Sequence, residues 1–100
     1  MRIQVLPPAR VELVDAANYY DRQQRGLGWR FWTEVDQCIL WIAQNPTVPR
    51  LRAGRYHRVN LNNFPYYVAY IVRPNAIWIL AIASARTLPE YWIGRLNELE

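Results

Sequence analysis

The chain has 100 residues, of which 52% are hydrophobic and 20% charged, and it carries a net charge of +4. It is long enough for one buried core, too short for two, and too apolar to be a disordered tail. All 12 basic residues are arginine, whose planar fork grips phosphates and carboxylates, so a nucleic-acid or acidic-protein partner suits it. A GC-rich coding sequence would also favour arginine over lysine.

Arg2 to Leu6 alternates, with Ile3 and Val5 on one side, and reads as a short strand. Pro7-Pro8 ends it before a secretory leader can develop and presets the start of a helix. From Ala9 to about Gln24, Leu13, Ala16, Ala17 and Tyr20 recur at helical spacing. Gly26 and Gly28 break the chain, and a second helix runs from about Trp29 to Gln44. Its apolar stripe includes Trp32, Val35, Ile39 and Ile42. Cys38, the single cysteine, sits in this pattern; it rules out an internal disulfide and fits a reduced, cytoplasmic compartment. Asn45-Pro46 stops the helix, because a residue before proline avoids the helical region. The two helices form an antiparallel hairpin.

A loop from Pro46 to Gly54 leads into a strand over Arg55 to Leu61, and Asn62-Asn63 turns the chain into Phe64. Tyr66 to Arg73 and Ala76 to Arg86 are rich in β-branched and aromatic residues, with Pro74-Asn75 as the turn between them. The longest apolar run, Ala76 to Ala83, falls far short of the ~20 residues that span a bilayer. With a two-residue turn, Val72 faces Ile77, Tyr70 faces Ile79 and Tyr67 faces Ile82. One sheet face then carries Tyr66, Val68, Tyr70, Val72, Ile77, Ile79, Ala81 and Ala83. The other carries Tyr67, Ala69, Ile71, Trp78, Leu80, Ile82, Ser84 and Arg86. Both are apolar, so both need cover.

One helical hairpin covers one face. The last helix, from Glu90 to about Leu99 after Pro89, is too short to cover all of the other, unless loops or self-association complete it. The apolar surface left open, with Ile71, Trp78, Leu80 and Ile82, predicts a protein partner that lays an apolar helix into the groove. The fold expected is α+β over residues 1–100 as a single domain. It has an N-terminal strand, an antiparallel helical hairpin on one face of a small antiparallel sheet, and a short C-terminal helix.

This order, with Ala16-Ala17-Asn18-Tyr19-Tyr20 in the first helix, Phe31 to Ile42 closing at Asn45-Pro46, Arg55 to Arg58, Phe64-Pro65-Tyr66, and Ile79 to Arg86 followed by Pro89, Tyr91 and Trp92, resembles the RelE/ParE superfamily of bacterial toxins. The branch it looks most like is that of the plasmid-stabilisation proteins. The resemblance implies the toxin of a type II toxin–antitoxin pair, held inactive in a hetero-oligomer by a cognate antitoxin that wraps it. The action expected is ribosome-dependent mRNA cleavage by a metal-independent endoribonuclease, as in some members; the alternative is poisoning of DNA gyrase, as in others. A degenerate toxin that only binds its antitoxin is a third reading.

Cleavage of the first kind uses the substrate's own 2′-hydroxyl, so no metal or cofactor is expected. It needs a base, cations around the phosphate and an acid for the leaving oxygen. The resemblance puts Arg86 at the phosphate, and Tyr91 or Trp92 where an aromatic stacks on a base or assists the chemistry. His57, the one histidine, suits proton transfer near neutral pH. The catalytic candidates are thus Arg86, His57 and Tyr91, with Arg55, Arg58, Tyr67 and Trp92 for RNA contact. Four of them also have a structural alternative: a strand residue for His57, an ion pair for Arg86, and helix packing for Tyr91 and Trp92. Two departures bear on the target. The nuclease branch often carries lysines before the hairpin and an arginine at Tyr67, and this chain has neither. The gyrase-directed branch often has a histidine after the last strand, where this chain reads Ser84-Ala85-Arg86.

Overall fold

The computed structural model of the chain describes residues 2–99. In chain order, β1 spans Arg2–Val5, α1 Pro7–Gln23, α2 Leu27–Gln44, β2 His57–Asn60, β3 Tyr66–Arg73, β4 Ala76–Ser84 and α3 Glu90–Ile93, with a 3₁₀ helix at Gly94–Leu99. The strands form one sheet in the order β1-β4-β3-β2. The central hairpin is β3–β4, as its two-sided apolar sequence requires. β2–β3 and β3–β4 are antiparallel, but β1 lies parallel to β4, with Ile3 opposite Ile77 and Val5 opposite Ile79. The expectation of an antiparallel sheet is corrected at this edge. Both helices lie between β1 and the other strands in sequence, and a crossover through helices is what a parallel neighbour needs.

α1 begins at Pro7, earlier than the apolar periodicity shows, because both prolines fit the first turn, where no N–H partner is needed. The link to α2 is locked by Asp21, whose Oδ1 accepts the N–H of Gly26 at 3.0 Å and of Gly28 at 3.1 Å. Gly26 takes the left-handed conformation (φ 88°), and a Cβ on Gly28 would run into the backbone carbonyl of Ala17. The helices therefore cross closely at that end. Their inner stripe meets the sheet through Tyr20 and Phe31, whose rings pack on Phe64 and Tyr66.

The hairpin register holds from the turn as far as Tyr70 opposite Ile79, then shifts. Ala69 stands opposite Ala81, so β4 has one extra residue at Leu80, a β-bulge. Beyond it Tyr67 faces Ala83 instead of Ile82, and Val68 faces Ile82. The face assignment past the bulge is therefore reversed. Ile82 and Ser84 share the helix-covered side with Val68 and Tyr66, while Ala81 and Ala83 share the far side with Ala69 and Tyr67.

The far side is not left open. Trp92 of α3 is fully buried against Tyr56 and Tyr67, and Leu96 joins the same core. Of the residues expected to line an open groove, Ile71 and Leu80 are at most 1% exposed, Trp78 is half-buried, and Ile82, 2% exposed, lies on the helix side. Among the described residues, the open apolar groove expected from the helix count is absent. A short segment suffices because its inward side chains are large: one indole covers what several aliphatic residues otherwise would.

Candidate functional site

The candidate residues fall into three places. At the end of β4, Arg86 is exposed in the turn that follows Ser84, and its own N–H donates to Ser84 Oγ at 3.2 Å. Thr87 Oγ1 donates to the Ser84 carbonyl at 2.8 Å, which tightens that turn. Arg86 lies on the helix side, close enough to Tyr20 to offset part of the rise in that phenol's pKa, which comes from burial, then Tyr66 and Tyr19. The expectation that it shares a face with Tyr67 is corrected by the bulge. A groove of about 390 Å³ runs beside it, lined by Glu12, Asp15, Tyr19, Tyr66, Ser84, Thr87 and Tyr91 among others.

Tyr91 points its hydroxyl at α1, donating to Glu12 Oε2 at 2.8 Å. Burial and this bond to a carboxylate both push the phenol pKa up. Its proton is held, not offered, which is the wrong direction for a general acid.

At the other edge of the sheet, His57 stacks on Tyr70 with ring centres 5.2 Å apart, and its Nδ1 lies 2.8 Å from the Pro49 carbonyl. A carbonyl only accepts, so Nδ1 carries a proton and His57 pins the preceding loop. His57 faces Tyr70 and Ser84 faces Tyr66, so His57 and Arg86 lie roughly 13 Å apart along the strand direction alone. Tyr91 stands at the β4 edge, across the sheet from β2. The catalytic set of Arg86, His57 and Tyr91 is not brought together.

Arg58 does reach Tyr67: its guanidinium sits 4.0 Å above the ring and also donates to Asn60 Oδ1 at 2.9 Å. Arg55 is exposed in the turn before β2 and reaches Asn97 Oδ1 at 3.5 Å. Tyr67 and Trp92 are buried, and Trp92 Nε1 donates to Tyr67 Oη at 2.8 Å. Neither ring offers a face to a base, so the expectation of RNA contact at Tyr67 and Trp92 is corrected. Ile71, Leu80 and Ile82 likewise present no side-chain surface for an antitoxin in this structure. Among the described residues, no three His, Cys, Asp or Glu side chains come together to hold a metal.

Sequence reasoning missed two groups. One is Glu12 with Arg95, which line the free edge of β4, where the Ile82 N–H donates to Glu12 Oε1 and Arg95 donates to the Leu80 carbonyl. Their separation in sequence hid this. The other is Arg50 and Arg52, for which the arginine density of residues 50–58 was the available signal.

No protein-family model matches the chain, and no curated protein does. Among solved structures, a chain of the "Chromosomal ParDE TA system from P. aeruginosa" is similar, with a TM-score of 0.75 at 16% identity. The match covers 84% of this chain and 95% of that one. No helix among the described residues is long and apolar enough to cross a membrane. The chain shares its α+β fold with that chain of the ParDE system.

Proposed function

We propose that this protein is the toxin of a type II toxin–antitoxin module, cytoplasmic, and neutralised in a complex with a cognate antitoxin. The observation that carries this is the match over nearly the whole of a chain from a ParDE toxin–antitoxin structure, joined to the sequence resemblance. We take the toxin to act by binding a target, with DNA gyrase the target that the non-cleaving branch implies. What supports binding over cleavage is the dispersal of the nuclease candidates. Tyr91 is committed to Glu12, His57 to Pro49, and Arg86 stands apart from both.

A second reading, mRNA cleavage on the ribosome, keeps one specific observation: Arg86 is solvent-exposed at the end of β4, free of any ion pair among the described residues. Two assays on the purified protein separate the readings. Inhibition of gyrase supercoiling, with a defined mRNA left intact in a translating extract, is the expected result. New cuts that require translating ribosomes would replace gyrase with the nuclease reading and make Arg86 its first variant. No effect in either assay, and no growth arrest on induction, would leave an inert antitoxin-binding domain.

A further inference from the structure

The net charge of this chain is concentrated in one place. Residues 50–58 contain four arginines and no acidic residue, and outside them eight arginines balance eight acidic residues, so the +4 belongs to this stretch. Of the four, Arg55 is partnered by Asn97. The other three, Arg50, Arg52 and Arg58, have no carboxylate at ion-pair distance among the described residues. Burial first, and then Arg58 and Arg50, lower the pKa of Arg52, so both cations lie within electrostatic reach of it. Like charges held together without a counter-charge cost stability and are relieved by a bound polyanion.

The backbone that carries the arginines is also pinned, and the Arg58 side chain with it. His57 grips the Pro49 carbonyl. Arg52 donates its N–H to the Tyr56 carbonyl at 2.7 Å, closing a turn through Ala53 (φ 52°) and Gly54 (φ 64°). Arg58 lies on Tyr67 and Asn60. A loop whose backbone is fixed before binding loses little backbone freedom on meeting its ligand. The same loop exposes two apolar side chains, Val48 at 68% and Leu51 at 51%. The aromatic rings beneath it, Tyr56, Tyr67 and Trp92, are buried and give no surface for base stacking.

We infer that the loop and strand carrying Arg50, Arg52 and Arg58, with Val48 and Leu51, form the docking surface for an acidic, partly apolar segment of a partner protein. On the toxin reading, which this inference rests on, that partner is the antitoxin. Charge complementarity selects the acidic segment. The exposed Val48 and Leu51 favour a peptide with apolar side chains over a nucleic acid, whose backbone offers them nothing.

The test uses the full chain and the protein encoded beside it, with affinity measured at about 0.05 M and about 0.5 M salt. Arg50→Glu/Arg52→Glu is expected to weaken the complex about tenfold or more at low salt, and the gap to wild type to close at high salt. Should that variant melt early, Arg50→Gln/Arg52→Gln removes charge without repulsion and shows a smaller loss of the same salt dependence. An unchanged affinity in a folded variant overturns the inference and leaves the toxin–antitoxin reading standing. A wild-type chain that does not bind the neighbouring protein overturns both. Loss of binding to a 20-base-pair DNA duplex or a single-stranded RNA of similar length, with the protein complex unaffected, assigns the cluster to nucleic acid and overturns the inference.

Discussion

Glu12 on α1 and Arg95 in the 3₁₀ helix, 83 residues apart, meet as a two-point ion pair at 2.9 and 3.1 Å. Each partner also holds one backbone group of β4, beyond the point where β1 stops pairing. Glu12 takes the Ile82 N–H at 3.1 Å, and Arg95 donates to the Leu80 carbonyl at 2.8 Å. The pair thus fills in for a missing strand, a protection that free sheet edges need. Both side chains are mostly buried, 16% and 19% exposed, so removing one leaves a charge and a backbone group without partners. Arg95→Ala and Glu12→Ala should each lower stability by about 2 kcal/mol in urea unfolding, with the double variant well short of the sum. Additive losses would mean the two side chains act independently.

Glu34 gives a pH dependence of known sign. Burial would raise its pKa, but the Asn63 side chain, the Asn63 and Asn62 N–H groups and Arg30 outweigh it, and the pKa falls below the ordinary 4.5. Its oxygens accept the Asn62 N–H at 2.7 Å, the Asn63 N–H at 3.1 Å and Asn63 Nδ2 at 2.8 Å. A carboxylate with a depressed folded pKa stabilises fully above its unfolded value, and that stability is lost as pH falls through the folded one. Wild type should therefore lose stability faster than Glu34→Ala as pH drops below 4.5. Parallel melting curves from pH 7 to pH 3, for wild type and variant alike, would contradict this linkage.

The Cys38 thiol is set against reactivity. Burial first, and the nearby Glu34 second, push its pKa up from 9.0 to about 11. At pH 8 the thiolate fraction is then about a hundredfold below that of an ordinary cysteine, and the thiolate is the nucleophile. Alkylation of the native protein by iodoacetamide should be slower by about that factor, with the ordinary rate restored in denaturant. A native rate equal to that of free cysteine would show an exposed thiol.

The far-side core hangs on Trp92. Trp92→Phe removes both indole volume and the 2.8 Å bond to Tyr67 Oη. The expected cost is about 2 kcal/mol, which lowers the melting temperature of a domain this size by about 10 °C. Tyr67→Phe keeps the packing and loses only the bond, so it should cost about half as much. If both variants melted with wild type, the C-terminal segment would not be what closes this face.

The sequence carries the element order, the helix stop at Asn45 and the turn at Pro74-Asn75, because each rests on local chemistry. Val72 stands opposite Ile77 as the turn demands. The bulge at Leu80 has no such local sign: neither glycine nor proline marks it, and the groups that hold it come from residues 12 and 95. That one extra residue moves Arg86 to the helix side and away from Tyr67. His57 was legible as a strand residue, but its grip on Pro49 depends on how a loop of the α2–β2 connection returns. The buried state of Tyr67 and Trp92 was hidden because side-chain reach across a sheet does not show in spacing.

Pairing β1 with β4 has a consequence for synthesis. Residues 2–5 find their partners only at 76–79, and the core is closed only when Trp92 and Leu96 arrive. A chain growing from its N-terminus can form the helical hairpin early, since its contacts are local, but not the finished sheet. The fold is complete only after Leu96 has left the ribosome. A product terminated before Trp92 has its helices but not the closed far side of the sheet, so a cell that aborts translation part-way is left with an unfinished fragment instead of a native protein.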